Sequence, residues 1–371
     1  MIWRYGYTFE SVLSELFTDF NSHMLKRIFY PTVLILGLLS LSSVPQGIED
    51  FATSRANAAG VFLFPSWFSA TDLVVADPVD SLAASTPVVV EVAEPEPVAD
   101  PPKEEKVRSL RTLRSKDLET LLRAELQKRP SWRKLIQTKR MAVGIVDMTD
   151  RTEVKYADVN GRHMMYAASL PKIAVLAAAH DAIERGELKE TAEITRDMRL
   201  MIAKSNNAAT TRMIDRVGFS AIERTMTDPN LKLYDPKYGG GLWVGKRYAA
   251  GGKRNPDPIK GLSHAATAEQ VCRYFYLLAY NELVSNESSS KMKRYLVDPE
   301  LHHKFVNVLD RVAPQAKVYR KSGSWKSYHA DVVLVQGPER NYIMTALIDD
   351  PAGESIIREL GSVLDNLLTE D

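Results

Sequence analysis

The stretch that decides the fold is Ser-Leu-Pro-Lys-Ile-Ala-Val-Leu-Ala-Ala-Ala, residues 169–179 of a chain of 371 residues. Pro171 suits the first turn of a helix, where its missing N–H costs little. The residues that follow are apolar on every side, which is typical of a buried helix. The sequence therefore predicts a central helix with Ser169 at its N-terminus, where free N–H groups and the helix dipole favour developing negative charge.

Lys172 follows Ser169 by three residues, so the two side chains share one face of that helix. A serine hydroxyl needs a neighbouring base to become a nucleophile, and a lysine in a dry site beside another cation can have its pKa lowered enough to serve. The spacing alone is a weak signal, because Ser-x-x-Lys recurs at residues 288–291. That second copy lies in a polar run with no apolar helix after it, and we interpret it as a loop.

A second element, Ser205-Asn206-Asn207, comes after a helix-like run at residues 198–204. It can direct a hydroxyl and an amide into a cleft. The same residue types also favour a helix cap or an Asx turn, so both interpretations stay open at this point.

A third element, Lys321-Ser322-Gly323, ends a strand-like run and is followed by Ser324. Glycine lets another backbone approach closely, and the lysine supplies positive charge for an anionic substrate group. An exposed edge-strand lysine followed by a turn is the alternative interpretation.

In this order and context, the three elements resemble the motifs of the penicillin-recognising serine enzymes, specifically class A β-lactamases. The resemblance covers about residues 117–371. It implies an α+β fold of β-lactamase/transpeptidase type. We therefore expect an antiparallel sheet of about five strands flanked by N- and C-terminal helices, plus an all-helical subdomain.

Hydropathy patterns along the chain predict the same arrangement, namely a helix, two strands, a mainly helical middle, three strands and a closing helix. The expected spans are 117–136 for the first helix, 141–148 and 152–156 for the first strands, 169–297 for the helical middle, and 317–320, 331–335 and 342–348 for the last strands. Such an order predicts one α+β domain whose antiparallel sheet takes strands from both ends of the domain.

The resemblance also implies catalytic roles. Ser169 would attack the amide carbonyl of a β-lactam or of a D-Ala-D-Ala-like peptide, and Lys172 would take its proton directly or through water. Ser205 would relay a proton to the departing nitrogen. Asn207 would hydrogen-bond the substrate side chain or Lys172.

Substrate contacts are implied along the third element. Lys321 and Ser322 would bind the substrate carboxylate, and Gly323 would let the strand approach closely. The backbone N–H groups of Ser169 and Ser324 would form the oxyanion hole.

Residues 230–268 depart from the family pattern. Class A β-lactamases carry a Glu-x-x-Leu-Asn segment there, and its Glu activates the water that releases the acyl group, whereas this stretch contains no Glu. One hypothesis is β-lactam hydrolysis by another water-activating route; a second is a slow-deacylating penicillin-binding-type peptidase or transpeptidase acting on peptidoglycan peptides. A non-catalytic envelope-binding module is a third, and the complete nucleophile–base pair argues against it. Asn206 in place of Asp and Ser322 in place of Thr are minor departures.

A glycine-rich segment lies in the same stretch. Residues 240–246 fit the phosphate-binding pattern G-x-x-x-x-G-K, but Arg247 replaces the Ser or Thr that a Mg²⁺ site needs. We instead expect a flexible wall of the active-site cleft, with Trp243 and Tyr248 either lining it or packing under it.

Three regions are expected along the chain. In residues 1–60 a basic pair precedes an apolar run at 28–44, a pattern typical of an export signal or a membrane anchor, and cleavage and anchoring both stay open. Residues 61–116 include an acidic, proline-rich stretch and predict a disordered tether. The hydrolase domain is expected at 117–371. This organisation predicts a periplasmic or otherwise extracytoplasmic protein whose N-terminal segment engages the membrane.

The composition is that of an ordinary globular protein with balanced charge. Lys and Arg number 48 and Asp and Glu 47, a net charge of +1, so nothing favours nucleic acid as a partner. The single cysteine, Cys272, excludes an internal disulfide and is expected to be a small core residue. His302 and His303 are adjacent and make a poor chelate, so we expect no metal and no cofactor. We predict a monomer that acts on a small-molecule substrate.

Overall fold

The computed structural model describes residues 107–369. The predicted export signal or anchor at 1–60, with its apolar run at 28–44, and most of the 61–116 tether lie outside the described residues. Within the described part of the chain, no helix combines the length and the apolar character needed to cross a membrane.

The folded domain begins before the boundary predicted at Asp117. A 3₁₀ turn at Leu110–Leu113 buries both of its leucines in the core. Arg111, in the same turn, donates from Nε to the buried carboxylate of Glu269 at 2.7 Å. Residues 110–113, predicted to belong to the tether, are therefore part of the domain, because the two leucines pack inward and Arg111 has an acidic partner.

An antiparallel sheet of five strands lies at the centre of the domain, as predicted. The strands are β1 (Met141–Asp147), β2 (Lys155–Val159), β8 (Lys317–Trp325), β9 (Tyr328–Gly337) and β10 (Arg340–Asp349). Their order across the sheet is β2-β1-β10-β9-β8, so β8 is an edge strand. The second strand begins later than predicted and the last three are longer, but the construction of the sheet from both ends of the domain is confirmed.

Both faces of this sheet are buried. Successive residues of a strand point to opposite faces. In β1, Met141, Val143 and Ile145 join one apolar cluster, and Ala142 and Val146 join the other. The sheet therefore lies between two helical layers.

Ten α-helices are found in residues 107–369. They are α1 (Lys116–Gln127), α2 (Pro130–Gln137), α3 (Lys172–Glu184), α4 (Ala192–Ala203), α5 (Asn207–Val217), α6 (Phe219–Thr227), α7 (Ala268–Ala279), α8 (Asn286–Leu296), α9 (Phe305–Val312) and α10 (Gly353–Thr369). Helices α1, α2, α9 and α10 supply buried residues to one apolar cluster, and α3 to α8 supply the other. The predicted α+β class, with N- and C-terminal helices on the sheet and a helical subdomain, is confirmed.

Short strands interrupt the middle of the chain. They are β3 (Met165–Tyr166), β4 (Tyr234–Asp235), β5 (Gly240–Gly241), β6 (Trp243–Val244) and β7 (His264–Ala266). Strand β7 pairs with β3 and β6, and β4 pairs with β5. The mainly helical middle predicted at 169–297 is therefore only partly correct, because the glycine-rich segment folds into paired strands.

Two local interpretations from the sequence are wrong. The single helix predicted at 117–136 is two helices, because the ring of Pro130 and its missing N–H cannot continue a helix. Residues 288–291 are not a loop but lie in α8, whose N-cap Ser285 accepts a hydrogen bond from Ser288 N at 3.0 Å. A polar run can form a helix when a cap residue satisfies its first N–H groups.

Candidate active site

Ser169 lies in the turn between β3 and α3. Hydrogen bonds between residues three apart close this turn, from Leu170 N to Ala167 O at 3.0 Å and from Lys172 N to Ser169 O at 3.3 Å. Ala168, just before the serine, has a φ of +50°, a left-handed conformation that non-glycine residues seldom adopt. The α-helix begins at Lys172, so Ser169 precedes it rather than forming its first residue. Strained backbone of this kind often presents a functional side chain.

Helix α3 is buried along nearly its whole length, and the side chain of Lys172 is fully buried at its start. Lys172 Nζ donates to the carbonyl oxygen of Ser205, to Ser205 Oγ at 3.2 Å and to Asn207 Oδ1 at 2.8 Å. Burial lowers the pKa of Lys172 to about 7. None of these acceptors is a carboxylate that would favour the charged form, and a lysine whose pKa lies near 7 can act as a base at neutral pH.

The second sequence element connects α4 to α5. Ser205 has a φ of +53°, and both of its oxygens face Lys172. Asn206 caps α5, with its Oδ1 accepting from Ala209 N at 2.8 Å. Asn207 directs its Oδ1 to the lysine amine. The helix-cap interpretation is therefore correct for Asn206, while Ser205 and Asn207 contact Lys172 and stay predicted site residues.

Lys321 is buried although β8 is the edge strand of the sheet. Its Nζ donates to Ser205 Oγ at 2.9 Å and to Ser322 O at 2.7 Å. Burial, followed by the positive charges of Lys172 and Arg320, holds the pKa of Lys321 well below its usual range. The alternative of an exposed edge-strand lysine is therefore wrong.

Gly323 brings β8 directly against the Ser169 turn. A Cβ on Gly323 would lie 2.4 Å from Ala167 O and 2.6 Å from Ser169 N, and these backbone atoms cannot move aside at low cost. Glycine is thus required for the contact. Alternate residues of a strand share a face, so Trp325 lies on the same face as Gly323 and Lys321, and its side chain is 58% exposed.

Among the described residues, the Ser169 hydroxyl makes no hydrogen bond to Lys172, its expected base. In the part of the chain that the structure describes, no protein group hydrogen-bonds to Ser169 Oγ, Lys172 included. Catalytic hydrogen bonds are often long or poorly aligned before substrate binds and tighten in the complex. Elsewhere on β8, Ser322 offers its carbonyl oxygen to Lys321, and Ser324 Oγ accepts from Lys304 Nζ at 2.9 Å.

Tyr248 lies against the amine of Lys172, in line with the expectation that it lines the candidate site. Its ring lies 4.6 Å from Lys172 Nζ, and its hydroxyl donates to Ala168 O at 3.1 Å. The ring also packs on that of His264, with 4.2 Å between centroids. The only sequence signal was an aromatic residue in a glycine-rich stretch, which does not reveal the long-range contact with Lys172.

The two carboxylates of residues 230–268, Asp235 and Asp257, bond to partners other than Lys172. Asp235 pairs with Arg111 at 3.1 Å. Asp257 Oδ1 accepts from the backbone N–H groups of Ile259 at 2.9 Å and of Lys260 at 3.0 Å. The stretch therefore supplies no free carboxylate to the site. Among residues 107–369, no three histidine, cysteine, aspartate or glutamate side chains are grouped so as to hold a metal ion.

The domain brings together the serine that precedes α3, a second serine and two buried lysines. In an α+β fold, this combination defines the class of penicillin-recognising serine enzymes. The family model described as "Beta-lactamase enzyme family" matches residues 131–199 and 196–368. The chain belongs to this family.

Solved structures share the fold at low sequence identity. A β-lactamase from Sphaerobacter thermophilus DSM 20745 is 19% identical with a TM-score of 0.51, covering 62% of this chain and 91% of that one. A β-lactamase from Xanthomonas campestris pv. campestris str. ATCC 33913 is 13% identical with a TM-score of 0.54, covering 68% and 98%. A PBP-A mutant described as an acyl-enzyme complex with penicillin G is 16% identical with a TM-score of 0.50, covering 68% and 98%. At these identities the likeness establishes the fold alone. No curated protein matches the sequence.

Proposed function

We propose that this protein is a serine acyl hydrolase that opens β-lactam amides through an acyl-enzyme on Ser169. The observation that carries the proposal is the position of Ser205 Oγ between the buried amines of Lys172 and Lys321. These three side chains lie near the contact between Gly323 of β8 and the backbone of Ser169. Protons can pass among these side chains without entering bulk water. Membership of the β-lactamase enzyme family supports the same chemistry.

Acylation would begin when Ser169 Oγ attacks the β-lactam carbonyl carbon while Lys172, held by Asn207, accepts the hydroxyl proton directly or through a water. The oxyanion that forms would accept hydrogen bonds from the N–H groups of Ser169 and Ser324. The C–N bond would then break, and the proton would pass through Ser205 to the departing nitrogen. Addition of water to the resulting ester would release the product and restore the serine.

The order of residues along β8 suggests how a substrate would lie. Lys321 and Ser322 would bind its carboxylate, and that negative charge would raise the pKa of Lys321 because an opposite charge favours the ammonium form. The reacting carbonyl would sit beside Gly323 and Ser324. The acyl group would extend further along the strand toward Trp325, whose exposed ring offers a large apolar contact.

A slow-deacylating penicillin-binding-type peptidase or transpeptidase, acting on peptidoglycan peptides, is the second candidate. The observation that favours it is the engagement of both carboxylates of residues 230–268 elsewhere, with Tyr248 rather than a carboxylate against Lys172. An acyl-enzyme without an activated water would persist until an acceptor arrived. A non-catalytic envelope-binding module is disfavoured, because two lysines buried around one hydroxyl are costly where no chemistry is done.

Intact-mass measurements over time after mixing the protein with benzylpenicillin would test these candidates. Rapid product formation with little adduct supports hydrolysis, and a persistent adduct supports the second candidate. Ser169→Ala should form no adduct. Ser288→Ala, which changes the serine of the other Ser-x-x-Lys sequence, is the matched control and should behave as wild type. A wild-type protein that gives neither adduct nor product would contradict both candidates.

We further propose that the domain acts as a monomer outside the cytoplasm on a small-molecule substrate, with residues 28–44 at the membrane. The basic pair before this apolar run supports the orientation. Cell fractionation with and without residues 28–44 tests the location, and light scattering of the purified protein tests the monomer.

A further inference from the structure

Lys304 lies fully buried beside the strand that carries the proposed oxyanion hole. Its Nζ donates to Gly323 O at 2.7 Å, to Ser324 Oγ at 2.9 Å and to Ala330 O at 3.1 Å. All three ammonium protons are therefore directed at β8 and β9. The acceptors are two carbonyl oxygens and one hydroxyl, and within residues 107–369 no carboxylate contacts this amine directly.

Three properties of Lys304 oppose ordinary local preferences. Its φ of +58° and ψ of −126° form a backbone conformation that residues with a side chain seldom adopt. It is the N-cap of α9, where a positive charge opposes the helix dipole. Its ammonium group is removed from water, which is costly for a charge. A residue that breaks several local rules and is still accommodated is expected where function requires it.

The hydrogen bond from Lys304 to Gly323 O fixes the direction of the next backbone N–H. The carbonyl of Gly323 and the N–H of Ser324 belong to one trans peptide unit, so they point in opposite directions. Lys304 also bonds Ala330 O, and Ala330 is the cross-strand partner of Gly323 in β9. The Gly323 carbonyl is therefore held on the β9 side, and the Ser324 N–H is directed to the free edge of β8, next to the Ser169 turn.

We propose that Lys304 is a positioning residue that orients and strengthens the Ser324 N–H donor of the oxyanion hole; this inference rests on the proposed function. A cation bonded to a carbonyl polarises the whole peptide unit, which makes its N–H a stronger donor. The stronger donor stabilises the negatively charged oxygen of the transition state more than it stabilises the neutral carbonyl oxygen of bound substrate. Lys304 therefore acts on the rate of acylation more than on substrate affinity.

The surroundings of Lys304 set the pH range of the effect. The titratable and charged groups that face it are Arg320, Lys321, Asp331, His329, His303 and Glu354. Burial outweighs the favourable carboxylates and lowers the pKa of Lys304 to about 8. Above that pH the amine has one proton fewer and no positive charge, so the support of the Gly323 carbonyl weakens. Acylation should then fall as the pH rises through about 8.

The test compares wild-type protein with Lys304→Arg and Lys304→Met, using benzylpenicillin and rapid-quench intact mass. Wild type should lose acylation rate through about pH 8, whereas Lys304→Arg should lack this loss, because a guanidinium stays protonated. Lys304→Met should acylate roughly 10- to 100-fold more slowly at pH 7 with little change in the concentration for half-maximal rate. Lys291→Met, in which one of the two lysines of α8 is replaced, is the matched control and should acylate as wild type.

Two outcomes would overturn the inference while leaving the proposed function intact. One is a folded Lys304→Met that acylates at the wild-type rate. The other is a wild-type profile with no loss of rate near pH 8, or with a loss that Lys304→Arg shares. The wild-type profile needs no variant, so the absence of a loss near pH 8 would overturn the inference even if both substitutions prevent folding. Failure of wild type to acylate at any pH would instead overturn the proposed function, and this inference with it.

Discussion

Lys172 and Lys321 donate hydrogen bonds to the same atom, Ser205 Oγ, at 3.2 and 2.9 Å. The hydroxyl oxygen accepts from both amines, so its own hydrogen is left to donate elsewhere, as a proton relay to a departing nitrogen requires. The two amines are buried, and the positive charge of a protonated Lys172 adds to the burial that lowers the pKa of Lys321. A neutral Lys172 would therefore make Lys321 easier to protonate.

Removing the Ser205 hydroxyl should slow acylation whichever residue replaces it, whereas the stability of the protein should depend on the replacement. Ser205→Ala and Ser205→Gly should each slow acylation by roughly 100-fold or more, the scale of general acid–base catalysis. Because Ser205 has a φ of +53°, the glycine variant should be more stable than the alanine variant by roughly 1 kcal/mol, the scale of the left-handed penalty for a residue with a Cβ. Rapid-quench intact mass gives the rates and urea unfolding gives the stabilities. Wild-type acylation by either variant would exclude Ser205 from the relay.

The rate of acylation should rise with pH through about 7. Lys172 acts as a base only when it is neutral, and burial lowers its pKa to about 7, so below that pH the neutral fraction falls about tenfold per unit. The measurement is the acylation rate with benzylpenicillin from pH 5 to 8. Lys172→Arg is the control and should be inactive throughout, because a guanidinium does not give up its proton. A rate independent of pH in this range would rule out Lys172 as the base.

The sequence reveals the elements of the site because their signals are local. A helix that is apolar on all sides must be buried, so 169–179 identifies both the central helix and the position of Ser169 before it. Ser205-Asn206-Asn207 could be predicted as either a cap or a site element because Asn206 caps α5 while Asn207 contacts Lys172. The antiparallel sheet follows from strand patterns at the two ends of the domain.

What the sequence does not reveal depends on contacts between distant residues. Tyr248 is 76 positions from Lys172, and no pattern in its neighbourhood reports that its ring packs against that amine. The polar run at 288–291 forms a helix because Ser285 caps it and because Lys291 pairs with Glu287 and Glu190. Strands of two residues are too short to show a period of two.

Gly323→Ala should damage both stability and acylation. The added Cβ would meet backbone atoms at 2.4 Å (Ala167 O) and 2.6 Å (Ser169 N), so β8 and the serine turn must move apart. We expect a loss of about 1–3 kcal/mol in unfolding free energy and a larger fractional loss of acylation, since the oxyanion donors separate. Gly361→Ala is the control, because its Cβ would meet only side-chain atoms, the nearest at 3.2 Å. Wild-type acylation by Gly323→Ala would show that this contact does not set the site geometry.

Tyr248 should limit the access of water to the Lys172 amine. Tyr248→Phe keeps the ring against the amine and loses only the hydrogen bond to Ala168 O, whereas Tyr248→Ala loses both. Because burial is what lowers the pKa of Lys172, water admitted by Tyr248→Ala should move the midpoint of the acylation profile upward by on the order of one pH unit. Tyr248→Phe should keep the midpoint near 7 and serves as the matched control. The same water would reach the ester bond, so the acyl-enzyme of Tyr248→Ala should also have a shorter lifetime in intact-mass time courses. If the alanine and phenylalanine variants share the wild-type midpoint and adduct lifetime, the ring is only a packing contact and another group excludes water from the lysine.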